Sequence, residues 1–383
     1  MYKNTIFSQI LKLLDRDLVK KAVSSHKSDK YCKSFSSWSH LVTMLFAQFN
    51  DSRSLRDVVV RFNSHQETHY HLRTQAVKKS TLSDANRNRD SNVFADIALG
   101  LINSGNKEIK DLVSLIDSSI IRVDGRGSDW TEATRTRCGK GLKLHIEMTQ
   151  SAETIRSMSI TGTNVNDITE ARKIGLCKGQ TYVFDKGYAN YNWWHEINEA
   201  GGYFVTRLKH NAAFKVIKEL SIADCSDKIL SDKIIILTNR NPGGKRRNLL
   251  VGKELRLVEI YDEEHDKRYS FISNIFDKSA DEISIYYKQR WGIELLFKWL
   301  KQNLKLTKFL GESENAIKIQ LYVAIIAYIL IGLFKKLCSL GFERSIDLLS
   351  WIKVTIFSTK TFVPPGGLKI NQQSSQLALK GIL

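Results

Sequence analysis

Apolar residues recur at three- and four-residue intervals through the first hundred positions. Ile6, Ile10, Leu13 and Leu14 form one stripe, and Leu41, Leu45, Phe46 and Phe49 form another, which is the spacing of amphipathic helices. Ser54 stands where an N-cap would open the run to Phe62. Ser80 stands likewise before a short helix that carries Arg87 and Arg89. From residue 112 the period shortens to that of strands. Leu112–Asp117 and Ser119–Val123 are apolar runs, Leu142–Thr149 alternates, and Ser157–Gly162 follows. Asp167 and Glu170 then have the spacing of a capping box at a helix start. Gln180–Asp185 reads as a buried strand, Asn190–Gly202 as a helix stopped by Gly201-Gly202, and Tyr203–Lys209 as another strand. Strands that meander and then alternate with helices predict an α/β domain around a mixed sheet.

Residues 210–280 differ in character, with β-runs at Lys233–Leu237, Leu249–Gly252, Leu255–Tyr261 and Arg268–Asn274 around a basic turn, Asn241–Arg247. Helix returns from Ser279. Leu321–Phe334 is an uncharged apolar stretch, shorter than the roughly 20 residues that cross a bilayer, so it predicts a buried core helix and no membrane partner. The expected organisation is a helical domain over 1–110, the first part of an α/β core over 111–209, a β-rich insertion over 210–280, the rest of the core over 281–335, and a C-terminal region over 336–383 available for dimerisation.

Composition narrows the function classes. At 42% hydrophobic the chain is too apolar for disorder as its main state. Its five cysteines are scattered without a C-x-x-C pair, which excludes a disulfide scaffold, argues against structural zinc and points to a reducing cytoplasm. The first residues lack the apolar block of a secretion signal, in keeping with that placement. The formal net charge of +18 calls for an anionic partner, and nucleic acid is the usual one, because neutralising phosphates releases counterions.

Three acids stand apart by position. Asp117 and Asp185 each follow an apolar strand run, where a carboxylate is costly to desolvate unless paired or bound to a metal, although Asp124 competes with Asp117 on pattern. Glu294 lies on a helix near Tyr286–Leu306. There Tyr287, Arg290, Lys298, Lys301 and Lys305 fall on the same narrow arc at about 100° per residue. Pairing of Glu294 with Arg290 and Lys298 accounts for part of that stripe. A surface that grips phosphates and offers one carboxylate to a metal accounts for all of it. His65, His69 and His71 have metal-like spacing, but no other ligand joins them, and they read as a surface cluster.

At these residues the chain resembles the DDE-class transposases of the insertion-sequence family known as IS-four. The family signature Tyr-x2-Arg-x3-Glu-x6-Lys is met by Tyr287, Arg290, Glu294 and Lys301. Val183–Tyr191 resembles the block that carries the second catalytic Asp, and Leu115–Ile121 the block that carries the first, which selects Asp117 over Asp124. The resemblance implies an RNase-H-like catalytic core with a β-rich insertion, preceded by an all-helical DNA-binding domain. It implies that Asp117, Asp185 and Glu294 converge on two Mg²⁺ ions, with Mn²⁺ substituting, for in-line displacement at phosphorus. Tyr287, Arg290 and Lys301 would contact phosphates near the cut end. Lys298, Lys186, Arg87 and Arg89 are further candidate DNA contacts, with Lys186 and Tyr188 supporting the second Asp. Trp291 would stack on a base or pack in the core, and Lys143 and His145 would support the site from one strand face. The implied activity is cut-and-paste transposition, with metal-dependent hydrolysis at inverted-repeat ends, a hairpin, and strand transfer to target DNA. A homodimer holding both ends on double-stranded DNA, associated with the nucleoid, completes the expectation. A DNA-binding descendant that no longer cuts is the alternative, and a plain nuclease without strand transfer is a third.

Overall fold

A computed structural model describes residues 5–50, 52–106, 112–123, 129–134, 139–150, 154–242, 247–304, 308–337 and 345–359. In chain order the helices are α1 (Ile6–Lys12), α2 (Arg16–Ser25), α3 (Ser37–Phe49), α4 (Leu55–Asn63), α5 (Gln66–Leu72), α6 (Lys79–Asn88), α7 (Asn92–Asn106), α8 (Asp167–Ala171), α9 (Tyr191–Glu199), α10 (Ala280–Gln289), α11 (Trp291–Asn303), α12 (Glu314–Leu337) and α13 (Ser345–Thr355). The strands are β1 (Val113–Arg122), β2 (Gly141–Thr149), β3 (Ile155–Gly162), β4 (Thr181–Phe184), β5 (Tyr203–Arg207), β6 (Phe214–Glu219), β7 (Ile229–Leu237), β8 (Glu254–Asp262) and β9 (Lys267–Ser273). They group into two compact units. One holds Met1–Gly105, Arg122–Ala133 and Lys298–Leu383, and the other holds Asn106–Ile121 and Thr134–Phe297.

The first unit is helical and is built around α3 and α12. Every residue of α3 is buried, so its polar side chains need internal partners. Thr43 Oγ1 donates to the Ser39 carbonyl at 2.8 Å, and His40 Nε2 meets Asn86 Oδ1 at 2.7 Å. Phe7, Phe46, Phe49, Phe62 and Phe357 interlock with ring centroids 5.3–6.3 Å apart, the tilted and edge-on arrangements that aromatic quadrupoles favour. Helix α12 is long and apolar enough to span a membrane, yet 67% of its apolar window is buried in the protein. It packs on α1, α3, α6 and α13, so the buried segment placed with the α/β core on sequence grounds groups with the N-terminal helices. An apolar helix of 24 residues needs cover along its whole length, and α3 supplies much of it.

The corner between α6 and α7 is held from inside. Asn315, at the start of α12, donates to the carbonyls of Asn86, Arg87 and Arg89 and accepts from the Ser91 N–H. Ser54 caps α4 as its position predicts, accepting from the Asp57 N–H. Ser80 does not cap α6. Asn63 bonds both backbone groups of Val77, fixing that residue, and Lys78 takes the N-cap position instead, without a side-chain cap.

The second unit is a nine-stranded sheet in the order β3-β2-β1-β4-β5-β9-β8-β7-β6. Strands β1, β4 and β5 run parallel, whereas β5 meets β9 antiparallel, and β9, β8, β7 and β6 continue as an antiparallel meander. Two sequence runs, Leu112–Asp117 and Ser119–Val123, are one strand, β1, so Asp117 lies mid-strand. Leu249–Gly252 is a turn with a single bridge from Val251 to Leu237, and β6 is a strand the sequence pattern left unmarked. Residues 243–246 of the basic turn lie outside the described residues. Helix α9 covers one sheet face through Trp193 and Trp194, against Phe184 at 4.7 Å and Phe204 at 5.1 Å. It ends in a Schellman turn at Gly201, whose φ of +73° suits glycine.

His40 is wholly enclosed, and burial first, then the Arg89 charge, pushes its imidazole from 6.5 down to about 3. The neutral form is therefore the folded one. Stability is full above pH 6.5 and falls as acid protonates the unfolded chain, by about 1.4 kcal/mol per pH unit for this one group. Denaturant titration between pH 7 and 5 should show that decline, and His40→Gln should remove part of the slope.

Candidate functional site

The register of two parallel strands brings the first two acids together. Ile116 on β1 pairs with Phe184 on β4, so the next residues, Asp117 and Asp185, emerge on adjacent strands about 4.8 Å apart. There the neighbours diverge. Strand β1 continues to Arg122, whereas β4 ends and Asp185 caps a short 3₁₀ turn, Lys186–Tyr188. Its Oδ1 accepts from the Gly187 N–H at 2.6 Å. A Cβ at residue 187 would stand 2.7 Å from that oxygen, so a larger residue there would push the carboxylate aside.

The third acid arrives on α11. At its start, a Cβ on Gly292 would lie 3.4 Å from Leu115 Cδ1, which places this end of the helix over the β1 face that also carries Asp117. Arg290 sits at the junction of α10 and α11 and points back to both acids. Its Nη1 lies 3.4 Å from Asp117 Oδ2, and its Nη2 donates to Glu294 Oε1 one turn ahead. One guanidinium thus bridges carboxylates that are 177 positions apart in the chain.

Beside this clamp lies an aromatic and cationic ladder. The Tyr287 ring stacks on Phe271 at 4.5 Å and has guanidinium carbons of Arg207 and Arg290 each 5.7 Å from its centroid. Arg207 also lies 5.6 Å from the Tyr269 ring. Tyr287 Oη, Arg207 Nε and Arg290 Nε are buried without hydrogen-bond partners among the described residues, so the ladder retains donors for an acceptor-rich ligand. Burial raises the Tyr287 phenol while Arg290 and Arg207 oppose that rise. Burial likewise pushes the Asp117 carboxyl up to about 6, helped by the negative charges of Asp185 and Glu294 and resisted by the Ser118 N–H and Arg290. The donor set fits a hard divalent cation, since it consists of three carboxylates crowded enough to need positive charge. The three do not close to a single point. Among the described residues, the trio of metal-donor side chains whose ligand atoms all fall within 4.8 Å is Asp262, Glu264 and His265, largely exposed at the β8–β9 turn.

The other sequence candidates are dispersed. Lys186 is exposed beside Asp185, and Trp291 is 61% exposed, so it is not core packing. Lys298 and Lys301 belong to the helical unit, where Lys298 is exposed and burial, with the Arg122 charge, lowers the Lys301 ammonium. Arg87 is exposed in that same unit. Arg89 is not, because its guanidinium donates to the carbonyls of Phe35 and Ser36 and only 9% of its side chain meets solvent. It holds a loop. Lys143 and His145 face away from Asp117, on the Ser118 side of the sheet, and approach Asp167 at 3.1 and 3.6 Å. The capping-box reading of Asp167 fails for a related reason: Asn166 caps α8 and leaves the Asp167 carboxylate to Lys143 and the His145 ring. His69 is buried against Phe62 and His65 stacks on Phe357, so the three histidines form no surface cluster. Asp124 and Lys305 lie outside the described residues. Arg207 was missed, although an arginine closing an apolar strand is the same cue that marked the aspartates.

Known proteins resemble the chain in sequence and in fold. Residues 108–330 match the family model described as the transposase DDE domain, and residues 2–73 match a domain of unknown function, DUF4372. The Sinorhizobium fredii protein y4zB, named as a transposase, is 34% identical over 264 residues, 67% of this chain and 71% of its own length. A Synechocystis protein named as a transposase for the insertion sequence element IS4SA is 27% identical over 288 residues, 73% of this chain and 76% of its own. Among solved structures, a piggyBac transposase synaptic complex with hairpin DNA aligns with a TM-score of 0.50 at 10% identity, over 98% of this chain and 84% of that one.

Arg290 neutralises the crowded acids, so Arg290→Ala should lower stability by about 1–3 kcal/mol in the absence of divalent cations. The same variant should gain more thermal stability than the parent chain when Mn²⁺ is added. Melting curves with EDTA and with Mn²⁺ read both effects.

Proposed function

The chain belongs to the family of the transposase DDE domain, and on that premise we propose that this transposase cuts and rejoins DNA at the two ends of an insertion sequence. The observation that carries the reading is that Arg290 links Asp117 to Glu294, while the β1–β4 register sets Asp185 on the strand next to Asp117. We take the mixed half of the sheet, β3-β2-β1-β4-β5, as an RNase-H-like core and the meander β6–β9 as its insertion. The three carboxylates would hold two Mg²⁺ ions, with Mn²⁺ able to replace them. Such ions, when bound, activate the attacking oxygen and stabilise the leaving one in an in-line displacement.

The protein's own groups have separate tasks in this reading. Arg290 would pass from the carboxylates to a phosphate oxygen once cations share the acids. Tyr287 and Arg207, whose buried donors lack partners among the described residues, would hold phosphates beside the cut strand, with Lys186, Lys298 and Lys301 adding charge along the backbone. Exposed Trp291 would stack on a base turned out of the duplex, as a hairpin requires. The helical N-terminal region, with exposed Arg87 at the end of α6, would read the inverted repeats. A homodimer holding two ends would complete the cut and the strand transfer, in a reducing cytosol where the thiols of Cys32, Cys177 and Cys225 remain unpaired.

The competing reading is a transposase descendant that binds DNA without cutting it. The presence of all three acids, with Glu294 at the spacing the family signature asks for, favours the active enzyme. The test uses the full chain and duplex DNA carrying the inverted repeats that flank its own gene. Asp117→Asn, Asp185→Asn and Glu294→Gln should each reduce Mg²⁺-dependent cleavage by more than about a thousandfold while leaving end binding within a few-fold. A wild-type chain that binds those ends and cleaves nothing with either ion establishes the silent reading instead.

A further inference from the structure

We propose that Asp167 is a positioning residue for the metal site, acting on Asp117 through Ser118. The inference rests on the metal-dependent reading above and assigns the task of holding the first acid in place. Ser118 follows Asp117 on β1, so its side chain projects from the opposite face of the sheet. It nevertheless touches both sides. Its backbone N–H donates to Asp117 Oδ1 at 2.8 Å, and its hydroxyl donates to Asp167 Oδ1 at 2.7 Å. Asp167 is itself tightly placed. Lys143 Nζ lies 3.1 Å from Oδ1 and also donates to the Val165 carbonyl at 2.8 Å, and His145 Nδ1 lies 3.6 Å away.

The position of Asp167 gives the contact leverage over both aspartates. Helix α8, which it opens, packs against the 3₁₀ turn Lys186–Tyr188 that Asp185 caps. The rear-face carboxylate therefore anchors β1 by a hydrogen bond while its helix abuts the loop leaving β4. Strand β1 has no β4 neighbour beyond Ile116, so at Asp117 the ladder on that side no longer fixes the backbone. The Ser118–Asp167 bond restrains the strand where that pairing stops. Groups behind a ligating carboxylate commonly change metal affinity by 10–100-fold when removed, because they fix the direction in which the ligand points.

The experiment titrates the full-length chain with Mn²⁺ alone, followed by electron paramagnetic resonance, with thermal melting in parallel. Ser118→Ala and Asp167→Ala should each weaken Mn²⁺ binding by about 10–100-fold. Asp167→Asn keeps an acceptor for the serine hydroxyl and should recover most of that loss. The double variant S118A/D167A should bind no worse than the weaker single one, because both act through one contact. Should Asp167→Ala fail to fold, Ser118→Ala still decides, since it leaves the Lys143–Asp167 pair intact. Parent-like Mn²⁺ affinity in Ser118→Ala, or in a folded Asp167→Ala whatever its melting temperature, overturns the proposal. A wild-type chain that binds no Mn²⁺ would instead remove the metal-dependent reading, and this inference with it.

Discussion

Parallel pairing of β1 with β4 sets Asp117 beside Asp185, and α11 brings Glu294 to the same end of the strands, where Asp117 is more enclosed than Glu294. Burial first, and then the like charges of Asp185 and Glu294, oppose ionisation of Asp117. The arrangement persists because Arg290 lies among them, with its position set by the junction of two helices. Much of the second unit serves that geometry. The glycine at 187 admits a close carboxylate, and α11 begins over Leu115 of β1.

The antiparallel meander β6–β9 contributes to the same end. Its last strand, β9, pairs with β5 and so sets Tyr269 and Phe271 near Arg207. A buried pair ties it inward. Arg256 and Asp232 meet through two hydrogen bonds, at 2.9 and 2.6 Å, with both side chains at most 5% exposed. The same guanidinium donates to the Lys278 carbonyl just ahead of α10, which carries Tyr287. A buried ion pair adds little net stability against well-packed apolar residues. Its effect here is to fix one helix start relative to the meander.

The sequence exposed the acids because each breaks an apolar run, and it exposed the Arg290–Glu294 pair because helical spacing is local. Ser54 and Gly201 were legible for the same reason, since caps depend on immediate neighbours. Tertiary contacts hid the rest. Asp117 reads as a strand end because polar residues occupy both faces of β1 where β4 stops, yet the strand continues to Arg122. Ser80 falls inside its helix because Lys78 takes the N-cap position, next to a Val77 held by an asparagine fourteen positions earlier, and Arg89, which has the look of a surface cation, is folded against carbonyls 53 and 54 positions away. Grouping of α12 with the N-terminal helices could not be read from a uniformly apolar run, which does not say what covers it.

The bridging arginine also bears on how the molecule is made. A centre in which a guanidinium of the same polypeptide offsets part of the repulsion between acids can fold during synthesis without waiting for an ion to arrive. On the metal-dependent reading proposed above, copies produced when divalent cations are scarce would accumulate whole and inert, and the supply of metal, rather than the supply of folded protein, would set when cutting begins.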